Sequence, residues 1–484
     1  QYNLDPVFPK HVEKVAEKIP LVLPNSEIKK RLDFRKTTTF TIDPVDAKDY
    51  DDALSVKKMS NGNWEIGIHI ADVSYYVKEN DIIDREAADR STSVYLVDRV
   101  VPMLPEVLSN DVCSLKADVD RFCYSVILEI NEKSEILSHQ IKKTVIHSDK
   151  RFTYQEAQDI IDNKKGLFSN ELLVLDRLSK ILRKKRFSSG SINFDRQEVK
   201  FILDKDNNPT DVFFKESIDT NHLIEEFMLM ANKIVAKEIG FVKKREKDKT
   251  FVYRVHDKPD EDKINSLNNI IKKFGYSINQ TSPKNLSTSL NTLLKNLKGK
   301  SESNMIETLT IRSMSKAIYT TNNIGHYGLN FKYYSHFTSP IRRYPDLIVH
   351  RLLEKYLSGG KSVEKNKIED ICKYTSEKEK DAAMAERDSI KYMQTKFLQD
   401  KVGGIFEGVI SGVTEWGIYV ELEKNKCEGL VRISSIKGDF YVFDKNTYSI
   451  IGRSSKNKYQ LGDKVKIKIK NTYLERKQIA FILV

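Results

Sequence analysis

Five aspartates, Asp43, Asp46, Asp49, Asp51 and Asp52, fall within the stretch FTIDPVDAKDYDDAL, Phe40 to Leu54, of a 484-residue chain whose formal net charge is +12. Carboxylates this close raise one another's pKa and repel unless a cation sits among them. The turn is therefore either solvated or built to hold metal. An EF-hand loop is excluded: Asp43, Asp46 and Asp49 are spaced by three where that loop needs two, Lys48 stands in place of its glycine, and Leu54 in place of its closing glutamate. Carboxylates with open coordination positions suit Mg²⁺, which takes about six oxygens at roughly 2.0–2.1 Å, only a few of them from protein. With more than three carboxylates, two ions about 3.5–4 Å apart become feasible, an arrangement suited to phosphodiester hydrolysis. A second constellation lies in HFTSPIRRYPDLIVHRLL, His336 to Leu353, where Arg342 and Arg343 sit in a proline-bounded turn ahead of a helical pattern. A guanidinium fork matches phosphate oxygens, and a helix N-terminus adds backbone donors. An arginine pair on a plain surface is the competing reading.

These groups need elements to hold them. TTFTI favours a strand and Pro44 follows it closely, so the pattern predicts a strand ending at Asp43, a bent loop, and a segment returning Asp49, Asp51 and Asp52 toward it. NWEIGIHIADV, FCYSVILEI and SHQIKKTVIHS alternate with period two and read as strands. Helical spacing takes over in SNELLVLDRLSKILRKKRF, NHLIEEFMLMANKIVAKEI and PDEDKINSLNNIIKKFGY, while residues 277–303 read as a loop-helix region. A polar stretch over 368–399 predicts an exposed helix joining two bodies. Beyond residue 400 about five strands separated by Gly, Asp and Asn turns fit a small OB barrel. Residues 401–484 hold 15 basic against 9 acidic residues, half of the chain's excess positive charge. A polyanionic partner and a solvated lysine-rich surface both account for that excess. Within the barrel Trp416 and Tyr419 flank Gly417, either as stacking faces for bases or with one of them in the core.

Composition places the chain among globular proteins: 39% hydrophobic and 31% charged. Cys113, Cys123, Cys372 and Cys427 lack ligand or disulfide spacing and read as buried small hydrophobes of a reducing compartment. No apolar run approaches the roughly 18 residues of a membrane span, so a cytoplasmic protein without a membrane partner is expected.

Five ordered motifs, TIDPVDAKDYDDAL, IADVSYYV, SVYLVDRVVPMLPEVLSNDVCSL, YRVHDKPDEDKI and HFTSPIRRYPDL, followed by the barrel pattern, resemble the RNB-domain exoribonucleases, and among these the ribonuclease R type more than ribonuclease II. The resemblance spans nearly the whole chain. It implies an α+β fold: a lead-in over 1–30, an RNB catalytic domain of mixed strands and helices over 31–363, a connecting helix over 364–400, and an S1 domain, a five-stranded OB barrel, over 401–484. It further implies a monomeric, processive, hydrolytic 3′-to-5′ exoribonuclease that uses Mg²⁺ and releases nucleoside 5′-monophosphates from RNA with a single-stranded 3′ end. Under it Asp43, Asp49, Asp51 and Asp52 match the catalytic and metal-binding carboxylates, while Asp46 falls at a variable, solvated position. Arg342 matches the arginine at the scissile phosphate, with Arg343 beside it on RNA. Tyr95 matches an aromatic at the terminal nucleotide, and Phe194 one that stacks on an inner base, core packing being the alternative for Phe194. Members commonly begin with two cold-shock domains, and many end in a lysine-rich tail. Residues 1–30 look like the linker after the former, and the sequence shows no such tail, so an open RNA entry path and reduced affinity are expected. The competing function is an RNA-binding protein with an inactive nuclease domain. A phosphorolytic exonuclease is disfavoured, since it needs no acidic cluster.

Overall fold

A computed structural model describes residues 2–193, 198–241, 248–297, 299–300, 302–444, 447 and 449–484. Phe194 lies outside the described residues. The first body is built on a seven-stranded sheet: β1 (Leu32–Asp33), β2 (Thr39–Asp43), β3 (Asp52–Lys58), β4 (Trp64–Ala71), β5 (Asp120–Ile130), β6 (Ile136–His147) and β7 (Lys150–Thr153). Their order is β1-β6-β5-β4-β3-β2-β7, antiparallel except for the β1/β6 and β2/β7 pairs.

The period-two pattern suggests a sheet with one wet face. In the centre it has none, because β4 is buried over Ile66–Ala71 and β5 over Arg121–Leu128. One face carries Ile66, Ile68 and Ile70. The other is small and polar: His69 Nε2 meets Ser55 Oγ at 2.9 Å, its Nδ1 meets Ser125 Oγ at 2.8 Å, and Ser125 Oγ meets Thr144 Oγ1 at 2.6 Å. A Cβ at Gly67 would lie 2.4 Å from both His69 Nε2 and Ser55 Oγ, so only glycine leaves room for this row. Burial lowers the His69 pKa to about 3 and keeps the ring neutral. Alternation here separates apolar from hydrogen-bonded residues, both of them buried.

Four helices bear on the position of the aspartates and the barrel: α1 (Ser169–Ser189), α2 (Asp219–Gly240), α3 (Tyr344–Leu357) and α4 (Lys365–Phe397). Both α2 and α3 bury most of their surface, as their dense apolar sequences require. The α4 helix of 33 residues spans about 50 Å at 1.5 Å per residue. It is less exposed than its charge suggests. Ile368, Cys372, Thr375, Ala382, Ala385 and Met393 form a buried stripe, and long charged side chains occupy the remaining faces.

The second body is a closed barrel of β8 (Ile405–Thr414), β9 (Gly417–Leu422), β10 (Glu428–Arg432), β11 (Lys464–Tyr473) and β12 (Gln478–Leu483), in the order β8-β9-β10-β12-β11. Ile410, Ile418, Val420, Val431, Ile467, Ile469 and Phe481 fill its interior. Gly417 has φ +149°, and a Cβ there would lie 2.1 Å from Val431 O, which fixes glycine at this corner. Between β10 and β11 the chain inserts a three-stranded antiparallel sheet, Tyr441–Asp444, Ser449–Gly452 and Lys458–Gln460, that the barrel pattern did not anticipate.

Residues 277–303 form a loop and a helix, as the sequence suggests, and the helix packs into a core. Helices Glu261–Ile271, Pro283–Leu297 and Ser303–Ser313 bury Ile264, Leu267, Ile271, Leu290, Leu293 and Leu297 in a core continuous with that of the barrel. The Asn- and Ser-rich composition masked an amphipathic stripe at Leu286, Leu290, Leu293 and Leu297. All four cysteines are buried and free. Among the described residues no helix is long and apolar enough to cross a membrane.

Candidate active site

Asp43 ends β2 and Asp52 begins β3, neighbouring antiparallel strands, so the loop between them must return on itself with its carboxylates close together. Backbone contacts hold that loop. Ser114 Oγ accepts from Tyr50 N at 3.0 Å and donates to Lys48 O at 2.7 Å, and Leu115 N donates to Tyr50 O at 3.0 Å. On the far side Ala71 N donates to Asp51 O at 2.9 Å. Ser114 belongs to a motif visible in the sequence, but its role as a brace appears only in the fold.

Asp51 is 4% exposed. Its Oδ1 accepts from Ile341 N at 2.9 Å, and its Oδ2 lies 3.5 Å from Arg342 Nε, an ion pair without hydrogen-bond geometry. Burial holds the Asp51 carboxyl well above the ordinary range, with Arg342 pulling the other way. Burial, then the neighbouring Asp43, pushes Asp52 up to about 8. Asp43 is raised to about 6, again chiefly by burial, against the opposing pull of Thr41 and Arg151. Asp49 is half-buried and accepts from Tyr95 Oη at 3.1 Å, whereas Asp46 is exposed.

Arg342 is held from behind and open in front. Its carbonyl accepts from Ser93 N at 3.0 Å and Thr92 Oγ1 at 3.2 Å, its Nη2 donates to Ser339 Oγ at 2.9 Å, and its side chain is 41% exposed. Tyr95 stands on the short strand Val94–Tyr95 that continues from Ser93, so Tyr95 and Arg342 share one support. The α4 helix supplies the rest of that support: Tyr95 N donates to Glu386 Oε1 at 2.9 Å and Val97 N to Ser389 Oγ at 3.0 Å. Nothing in the charge-rich sequence of α4 distinguishes these two residues beforehand.

Arg343 is engaged differently from Arg342. Its Nη2 donates to Asp346 Oδ1 at 2.7 Å, and that oxygen also accepts from Ser339 N at 2.8 Å on a fully buried side chain. One end of this guanidinium is thus engaged with the carboxylate of its own turn. The sequence shows two adjacent arginines, and only the fold shows that consecutive side chains diverge.

Trp416 and Tyr419 are also separated. Trp416 is 69% exposed at the turn between β8 and β9. Tyr419, on β9, lines a cavity of about 550 Å³ between α4 and the barrel, together with Lys391, Arg432, Lys470 and Tyr473. Asp388, Glu428 and Glu475 also line this tyrosine-bearing space, and none of the four candidate metal aspartates does.

The carboxylates fit a divalent cation. Asp43 Oδ2 and Asp51 Oδ2 are buried without hydrogen-bond partners; Arg342 acts on Asp51 and Asp52 and Arg151 on Asp43, and burial still holds all three carboxyls above the ordinary range. Such a group is costly to ionise unless positive charge is added. Among the described residues no three His, Cys, Asp or Glu side chains form a complete cage. One or two carboxylates would thus share an ion with water and substrate oxygens, as Mg²⁺ prefers.

Residues 31–359 match the RNB domain and residues 399–483 the S1 RNA binding domain. The chain is 37% identical to Ribonuclease R of Aquifex aeolicus over 100% of its own length and 69% of that protein. It is 38% identical to Ribonuclease R 1 of Lactococcus lactis over 96% of its own length and 57% of that protein. Mycoplasma genitalium RNase R in complex with ribose methylated single-stranded RNA superposes with TM-score 0.92 at 28% identity, covering 100% of this chain and 76% of that one.

Proposed function

Since the chain belongs to the ribonuclease R family of RNB-domain proteins, we propose that it is a hydrolytic 3′-to-5′ exoribonuclease releasing nucleoside 5′-monophosphates with Mg²⁺, two ions being held during turnover. The observation that carries this reading is the close group of Asp43, Asp51 and Asp52, in which Asp43 Oδ2 and Asp51 Oδ2 are buried without hydrogen-bond partners and the partly exposed guanidinium of Arg342 stands 3.5 Å from Asp51. An RNA-binding protein without activity gains nothing from burying such charge, which argues against the inactive alternative.

When bound, the cation would supply charge neutralisation and would lower the pKa of a water at the phosphodiester. Asp43, Asp51 and Asp52 would share the two ions, one or two carboxylates to each with water and substrate oxygens completing the shell, and Asp49 would stand at the open edge. Arg342, fixed through its backbone and Ser339, presents donors to the non-bridging phosphate oxygens as charge builds on them. Tyr95 offers a ring beside the terminal nucleotide while its hydroxyl, bonded to Asp49, keeps that carboxylate aimed. Base stacking on Tyr95 and Phe194, and on Trp416 and Tyr419 in the barrel, would hold a strand whatever its sequence. Within this reading the protein acts as a cytoplasmic monomer on RNA with a free single-stranded 3′ end.

The test is product identity. With Mg²⁺ a uniformly labelled oligoribonucleotide should yield nucleoside 5′-monophosphates, a 5′-end-labelled one should shorten stepwise while keeping its label, and neither should react in the presence of a chelator. Internal fragments, or nucleoside diphosphates formed only with added phosphate, would overturn the proposal.

Protons compete with the cation for this site. Asp43 at about 6 and Asp52 at about 8 lie above their ordinary 3.8. The metal-free folded protein therefore binds more protons than the unfolded chain between about pH 4 and pH 8, and these groups cost it stability increasingly as pH rises through that window. Mg²⁺ should offset that cost. Its addition is expected to raise the unfolding temperature more near pH 8 than near pH 6, by calorimetry. An equal rise at both would place the ion elsewhere.

A further inference from the structure

The sheet inserted between β10 and β11 carries an exposed aromatic that nothing in the fold requires. Phe440 is 66% exposed, although a phenylalanine gains about 1.5–3 kcal/mol from full burial. It is not loosely placed. Asp439 Oδ1 accepts from Phe440 N at 2.6 Å, and its Oδ2 accepts from Ser454 N at 2.9 Å, Ser455 N at 2.6 Å and Ser455 Oγ at 2.6 Å. Arg453 N donates to Phe440 O at 2.9 Å, and the Arg453 guanidinium lies 4.7 Å from the Phe440 ring centroid. Below, Tyr441 and Ile450 are buried and anchor the lobe to the barrel core. The ring is thus fixed beside a cation and open to solvent.

Cations outnumber anions around it. Lys437, Arg453, Lys456 and Lys458 are exposed, while the acids of the lobe among the described residues, Asp439 and Asp444, are only half exposed and hydrogen-bonded within it. A rigid aromatic face with an arginine against it, in a cationic surround, matches a nucleobase and its phosphate. An acidic peptide would satisfy the charges but leave the flat ring without a partner.

We propose that Phe440 and Arg453 form a second RNA-binding platform on the inserted lobe, on which a base of the strand outside the aspartate site stacks. The proposal rests on the exoribonuclease reading and adds a contact remote from the chemistry. It predicts that strand length decides whether the platform is used.

The experiment compares the unaltered protein with Phe440→Ala, Phe440→Leu, Phe440→Trp and Arg453→Gln. The probes are a long unstructured oligoribonucleotide and one just long enough to reach the aspartates, with binding read by fluorescence anisotropy in chelator and hydrolysis read in Mg²⁺. Phe440→Ala and Phe440→Leu should weaken the long strand by about tenfold, the loss expected for one stacked base. Phe440→Trp should retain affinity, and Arg453→Gln should lower the salt slope by about 0.7. Hydrolysis of the short strand should be unchanged in all four. Unchanged long-strand affinity in Phe440→Ala overturns the platform, as does a loss shared by Phe440→Trp. If the unaltered protein fails to hydrolyse the short strand, the functional reading itself has failed.

Discussion

Asp51→Asn is expected to lower turnover about a thousandfold, equivalent to about 4 kcal/mol of transition-state stabilisation, while leaving RNA affinity within a few fold. The substitution is nearly isosteric, and the asparagine oxygen can still accept from Ile341 N as Asp51 Oδ1 does at 2.9 Å. What disappears is one negative charge at a buried position facing Arg342. A neutral amide costs less to bury than a carboxylate held well above its ordinary pKa, so the metal-free variant should melt at or above the temperature of the unaltered protein. Single-turnover hydrolysis, anisotropy and calorimetry together check the three parts. Retention of a tenth of normal turnover would remove Asp51 from the site, and a large drop in melting temperature would make its role structural.

The adjacent arginines should respond in opposite ways. Arg343→Ala leaves Asp346 buried and uncompensated at the turn that positions Ser339, and breaking a buried pair in this way costs about 3–5 kcal/mol. Arg342→Ala removes a side chain that is 41% exposed and only loosely paired with Asp51 at 3.5 Å, the Asp51 carboxyl can take up a proton, and the backbone contacts to Ser93 and Thr92 remain, so it should cost clearly less stability than Arg343→Ala. Turnover should instead fall about a hundredfold, as for the loss of one well-placed donor to a developing anion. Denaturant unfolding and single-turnover rates, measured on both variants, separate the two roles. Equal stability losses would mean that Arg342 also braces the turn.

This contrast marks how far the sequence could be read. Motif order was enough for the architecture, because a strand ending at Asp43 beside one starting at Asp52 fixes which carboxylates meet. The five-strand pattern after residue 400 likewise describes the closed barrel. Side-chain direction was not legible. Arg342 and Arg343 look equivalent in a row of letters, yet one backs onto Asp346 and the other opens toward Asp51. Trp416 and Tyr419 look paired across Gly417, but only Tyr419 lines the cavity against α4. Ser114 and Glu386 act through backbone groups distant in sequence, so no local spacing could have identified them. The lobe bearing Phe440 was missed because its short strands read as a long turn of the barrel.

The α4 helix bears on how a protein of this kind can vary. Glu369 accepts from Thr321 N at 2.6 Å, Glu386 from Tyr95 N at 2.9 Å, and Asp388 from Tyr2 Oη at 2.8 Å while pairing with Lys477 of the barrel. Further on, Gln394 Nε2 donates to Lys426 O at 3.3 Å. These contacts lie on one continuous helix, where each residue advances the azimuth by about 100°. Replacing an exposed side chain between Glu369 and Gln394 disturbs one contact at most. Deleting a single residue there rotates everything downstream and turns the barrel away from the strand that carries Tyr95. Along this segment lineages should therefore differ freely in composition and hardly at all in length, with tolerated insertions or deletions arriving in whole heptads or not at all.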